Sequence, residues 1–148
     1  MKTEFLILET EAEYRIEYLK TYTEKSKKYF INGIPIIFDE NDFNHIFSEP
    51  NTFGVRTFSK RRAKRMLFIK TLLETPKISE ILYEPGYGNL AVFSKDLEIV
   101  LYARPRKGSG ILQVATFFDF GKDHTKMYEK QFKKCMPITE DIIKNLFK

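Results

Sequence analysis

The chain is 148 residues long, which suits one domain with a single apolar core and leaves little for a second. Its 43% hydrophobic content, with 14 Phe and 8 Tyr but no Trp, excludes disorder along the whole length, and the formal net charge of +5 favours an anionic partner. One cysteine, Cys135, and two histidines, His45 and His124, exclude an intrachain disulfide, a cysteine-based zinc cluster and a three-histidine metal site.

The N-terminus holds an apolar run of only four residues, Phe5, Leu6, Ile7 and Leu8, bounded by charge. It reads as neither a signal peptide nor a membrane span, so a cytoplasmic location without a membrane partner is expected. Residues 2–8 predict a short strand, and residues 11–28 an amphipathic helix with Tyr14, Tyr18, Leu19 and Tyr22 along one side. Asn32-Gly33 predicts a hairpin between residues 29–31 and 34–38, with Pro35 marking an edge strand. Asp39 predicts the cap of a short helix over residues 40–48, whose apolar side is Phe43, Ile46 and Phe47 and leaves His45 outside. Residues 49–57 read as a loop. Ser59 then caps a stronger helix over residues 60–75, stopped by Pro76.

From Ile78 the pattern changes to strands at residues 79–83, 90–93, 98–103 and 110–118. The connections are too short for parallel crossovers, so these segments predict an antiparallel meander. Residues 122–136 are helical in pattern, and Pro137 opens or divides a last helix. The expected fold is α+β: N-terminal helices packed on a four- or five-stranded antiparallel sheet, with one or two C-terminal helices, in a single domain over residues 1–148.

The charge is clustered. Residues 51–78 carry eight basic residues, Arg56, Lys60, Arg61, Arg62, Lys64, Arg65, Lys70 and Lys77, against Glu74 alone. Positive charge at a helix start opposes the helix dipole, a conflict that a bound phosphate would relieve; a solvated basic face is the plainer account. Arg56, Lys60, Arg61, Arg62, Lys64 and Arg65 are therefore expected to contact nucleic acid, joined by Tyr102, Arg106 and Lys107 at the sheet.

No calcium loop, phosphate loop or acidic metal box is present. A ribonuclease needs none of these. It activates the ribose 2′-hydroxyl, stabilises the charge on phosphorus and protonates the departing 5′-oxygen, using histidine for proton transfer and arginine or lysine for the phosphate. His45 is the acid/base candidate, with a surface histidine as the plain alternative. Arg104 ends a strand and shares strand parity with Tyr102; Thr116 is either a β-former or a phosphate-directed hydroxyl.

Phe43-Asn44-His45-Ile46-Phe47, the helix around Arg65 to Leu73, the glycine turn before Phe93, and Ala115-Thr116-Phe117-Phe118 together resemble the phage- and mobile-element-associated nucleases of the barnase, colicin and RelE-like superfamily. The likeness covers a core at about residues 39–120. It implies a cytoplasmic, toxin-like, metal-independent endoribonuclease that needs no cofactor and cleaves RNA on an open sheet face, with His45, Arg104 and Thr116 as its catalytic residues. RNA is the implied partner, with DNA and an inhibitory or host protein as further ones. Where fuller members carry a second histidine, this chain has Ser48-Glu49-Pro50, leaving Lys60 or Arg56 to substitute. The alternative reading is a non-catalytic RNA- or DNA-binding module, or a protein-interaction factor of a mobile element.

Overall fold

The computed structural model describes residues 4–26, 28–120 and 124–148. Helix α1 (Glu11–Tyr18) starts at a capping box in which the Thr10 hydroxyl accepts from the Glu13 amide and the Glu13 carboxylate accepts from the Thr10 amide. It continues as a π-helical turn, Leu19–Thr23, rather than running through residue 28 as one α-helix. Residues 4–8 of the strand predicted over residues 2–8 form none; Lys2 and Thr3 lie outside the described residues.

Strands β1 (Tyr29–Ile31) and β2 (Ile34–Ile37) close over Asn32 and Gly33, both at positive φ as the turn demands. Helix α2 (Asp42–Ile46) follows, and the Asp39 carboxylate accepts from the Asn41 and Asp42 amides at its start. The segment expected as a loop forms a two-stranded hairpin, β3 (Ser48–Pro50) with β4 (Arg56–Phe58). The single helix expected over residues 60–75 is two, α3 (Lys60–Ala63) and α4 (Met66–Glu74). Tertiary bonding overrides local propensity at the break, where the Lys64 carbonyl accepts from the Leu6 amide at 2.8 Å.

The predicted meander is present as β5 (Glu80–Glu84), β6 (Asn89–Ser94), β7 (Ile99–Arg106) and β8 (Ile111–Asp119). After it come α5 (His124–Phe132), the short β9 (Met136–Pro137) and α6 (Glu140–Asn145). The fold is α+β, but the sheet is larger and mixed. Among the described residues it has seven strands in the order β1-β2-β8-β7-β6-β5-β9, antiparallel except where β2 runs parallel to β8 through Ile36↔Leu112 and Ile37↔Gln113. Pro35 thus sits on an interior strand, contrary to the edge expectation. It lies just outside that two-residue contact and pairs with Phe30 instead, so its missing N–H interrupts no β2–β8 bond.

The sheet is covered on both faces. On one, Leu90, Val92, Leu101, Val114 and Phe117 pack with Tyr14, Tyr18, Phe43, Phe47, Met66 and Ile69 of the N-terminal helices. On the other, Ala91, Phe93, Val100 and Tyr102 pack with Phe120 and with Met127, Tyr128 and Phe132 of α5. The face implied to be open is therefore occupied by α5. Residues 122 and 123 of the helix predicted there lie outside the described residues.

The tyrosines of α1 and its π turn reach out of the helix as hydrogen-bonding pegs. Tyr14 donates to the Leu6 carbonyl at 2.7 Å and Tyr18 to the Asp39 carbonyl at 2.7 Å. Tyr22 donates to the Met66 carbonyl and accepts from the Lys70 amide at 2.9 Å, inserting its hydroxyl between two groups that an α-helix pairs with each other. Tyr22→Phe should therefore take the shared hydroxyl from one buried and one part-buried backbone group, which regain a partner only if the helix tightens to pair them with each other. We expect a loss of about 1–3 kcal/mol, read as a lower urea midpoint at unchanged slope.

Candidate functional site

The basic helix start is built into an internal ionic junction. The Ser59 hydroxyl caps α3 by accepting from the Arg62 amide, and it donates to the Glu49 carboxylate. Arg61 bridges Glu49 and Asp119, reaching the latter at 2.8 Å, and Arg65 stands 4.0 Å from Asp119. Arg62 is buried, donates to the Ser48 carbonyl at 2.9 Å and lies 5.0 Å from the Phe118 ring centre. Arg56 wraps the same residue, donating to the Ser48 hydroxyl at 3.0 Å and its carbonyl at 2.9 Å. Burial works against the Glu49 charge, but hydrogen bonds from Arg61 and Ser59 and the nearby guanidinium charges outweigh it and lower its pKa. Burial likewise lowers the Arg62 pKa, against the pull of Glu49 and Asp119.

Half of the cations expected to face nucleic acid are thus engaged by groups of the protein itself, although only Arg62 is buried and Arg61 stays exposed. Arg61, Arg62 and Arg65 pair with acids from β3 and β8, and Lys64 lies 4.8 Å from the Phe5 ring centre. Lys60 remains exposed, and Arg56 is exposed on β4. The acids responsible, Glu49 and Asp119, lie far from one another in the chain and carry no sequence signal of their role.

The other expected residues fall into three places. His45 and Arg56 line one cleft of about 530 Å³ between α1, α2 and the β3–β4 hairpin. Arg104 and Lys107 line a separate cleft of about 520 Å³, with Tyr83, Tyr87 and Asn145, between the β5–β6 turn, the end of β7 and α6; Arg106 is exposed beside it. Thr116 is paired with Tyr102 across β8 and β7, so both point to the face that α5 covers. Tyr102 is only 2% exposed and donates to the Gln131 side chain at 2.8 Å, and burial pushes its phenol up. It is a core residue in this structure, not a stacking platform. The expected grouping of His45, Arg104 and Thr116 is not formed: Arg104 and Thr116 are not on the His45 cleft. His124 opens α5, and its side chain lies outside the described residues.

Other residues of the His45 cleft were given no role in the sequence, among them Glu11, Asn41 and Asn44. Asn44 accepts from Arg15 at 2.7 Å, and Arg15 lies 4.4 Å from the Phe43 ring centre and 3.7 Å from Glu11. Phe43 stacks on Phe58 at 6.0 Å and 12°, giving the cleft a firm aromatic floor. Beside it, burial raises the pKa of Asp42, opposed by hydrogen bonds from the Asp39 amide and Gln113 and by the His45 charge. The only advance signal for these groups was adjacency, since Asn44 directly precedes His45 and Glu11 follows the Thr10 cap. Among the described residues no helix is long and apolar enough to cross a membrane.

No protein-family model, curated protein or solved structure matches the chain.

The ionic junction has a pH signature. The Glu49 pKa is depressed below its ordinary 4.5 in the folded protein, so its stabilising contribution is present above 4.5 and lost as pH falls through the folded value. Glu49→Gln should cost about 1–3 kcal/mol at neutral pH and flatten the loss of stability below that point, measured by urea unfolding across pH. Lys60→Ala should change stability by less than about 0.5 kcal/mol.

Proposed function

We propose that the protein is a cytoplasmic, metal-independent endoribonuclease of the barnase, colicin and RelE-like kind, working from the cleft between α1, α2 and the β3–β4 hairpin. The observation that supports this reading is the meeting of His45, Glu11 and Arg56 on that one cleft. They are an imidazole able to carry a proton, a carboxylate, and a guanidinium, which together can serve the proton transfers and the phosphate charge of RNA transesterification.

In this reading Glu11 takes the proton from the ribose 2′-hydroxyl as its oxygen attacks phosphorus. The new O2′–P bond forms while the P–O5′ bond breaks, and protonated His45 gives its proton to the departing 5′-oxygen. The products are a 2′,3′-cyclic phosphate and a free 5′-hydroxyl. Arg56 already commits Nε and Nη2 to Ser48, which fixes the guanidinium plane and leaves Nη1 for a phosphate oxygen. Asn41 and Asn44 supply amides at the same wall for a base or ribose.

The second reading is RNA or DNA binding without cleavage, favoured by the separate groove of Arg104, Lys107 and Tyr87, the last being 83% exposed. A cleavage assay on a structured RNA pool in EDTA separates the two. Wild type should cut; His45→Ala should slow cutting by about 100-fold or more, and Arg56→Ala should weaken it, both with the fold retained. Salt-sensitive retention of RNA without product would move the binding reading first. Loss of cleavage in Thr116→Val with Arg56→Ala unaffected would place the reaction on β8 and overturn the cleft assignment.

A further inference from the structure

The β3–β4 hairpin that brings Ser48, Arg56 and Phe58 to the cleft ends in a tip at residues 51–55. There Phe53 is 89% exposed and Val55 59% exposed. The backbone that carries Phe53 is held in place. The Asn51 side-chain oxygen accepts from the amides of Phe53 at 2.9 Å and Val55 at 3.0 Å. The Asn51 amide donates to the Val55 carbonyl at 2.8 Å, and its carbonyl accepts from Gly54 at 2.9 Å. Gly54 sits at φ +79, a conformation that favours glycine. The hairpin base is fixed in turn, by Arg56 on Ser48 and by the Ser59 amide on the Phe47 carbonyl at 2.7 Å. The backbone order needed to present a bare phenyl ring to solvent is therefore in place before any partner arrives.

We propose that Phe53 is a stacking platform for an unpaired base of single-stranded RNA whose backbone passes Arg56 toward the His45 cleft. This rests on the nucleic-acid reading of that cleft but not on cleavage itself. Arg56 lies on the same hairpin, opposite Pro50 in the register, and Lys60 is exposed one short turn further along. A ring with a free face beside guanidinium and ammonium groups matches the alternation of base and phosphate along a strand. Arg56 and Lys60, both exposed beside the tip, disfavour a basic protein partner.

The absence of tryptophan makes the test direct, because Phe53→Trp installs the sole indole fluorophore at the tip. The probe is a 2′-O-methyl single-stranded oligonucleotide, which lacks the attacking hydroxyl and so reports binding whether or not the protein is a nuclease. Binding should quench the Phe53→Trp fluorescence. Phe53→Ala and Phe53→Leu should both weaken affinity roughly 5- to 100-fold, and Phe53→Tyr should retain it. The salt slope should be unchanged in Phe53→Ala and reduced in Arg56→Ala or Lys60→Ala, since only the latter two lose a phosphate contact. Equal affinity of Phe53→Ala and wild type would overturn the proposal, as would full retention by Phe53→Leu, no binding of any strand, or quenching by anionic phospholipid vesicles alone. Normal cleavage with an indifferent Phe53 would remove the platform and leave the cleft assignment standing. Binding with quenching but no cleavage would do the reverse.

Discussion

Tyr14, Tyr18 and Tyr22, spaced by four along one helix, each bury a ring in the core and hand a hydroxyl to the backbone of a different segment: the N-terminal residues, the loop before α2, and α4. Burial pushes the Tyr18 and Tyr22 phenols well above their ordinary value, so both remain donors. The N-terminal helix is in this way the hub to which the other parts of the helical layer are fastened. The position of α2, and hence of His45, depends on it, because Tyr18 holds the Asp39 carbonyl and packs edge-on against Phe43 at 5.6 Å and Phe47 at 6.0 Å.

The second organising feature is the ionic junction at Ser48, Glu49 and Asp119. It explains why a basic segment with four arginines, Arg56, Arg61, Arg62 and Arg65, shows little free guanidinium. Asp119 comes from the end of β8, so Arg61 pins α3 to the sheet and Arg65 does the same just before α4, while Glu49 and Ser48 tie α3 to the hairpin. The hairpin would otherwise have little to hold it, as a lone pair of three-residue strands is marginal in water. Charge that looked available for phosphate serves instead to hold one wall of the cleft.

Many local signals were readable, though the Thr10/Glu13 capping box, equally local, was passed over. Asn32-Gly33, the Ser59 cap, the Phe43/Ile46/Phe47 stripe and the four strands of the meander all follow from turn chemistry and periodicity within a few residues. What the sequence hid was pairing at a distance. The parallel β2–β8 contact, the break at Lys64, the hairpin at residues 48–58 and the cover of α5 over the second sheet face each depend on partners far along the chain. The site followed the same rule. His45 and Arg56 were readable as residue types and are brought to one cleft, whereas Arg104 and Thr116 share the sheet with that cleft's supports but not its surface.

The parallel contact also bears on how the chain is made. β2 meets no strand but β1 until Leu112 and Gln113 exist, and at ~5–20 residues per second a ribosome takes roughly 4–15 s to add the intervening stretch. Throughout that interval the nascent hairpin shows an unpaired strand edge, the kind of surface on which chains aggregate. Pro35 lies on that edge beside Ile36 and Ile37 and has no amide proton to offer a passing strand. A residue that contributes nothing to the finished β2–β8 ladder is thus one that offers a stray strand one fewer donor while that edge is bare.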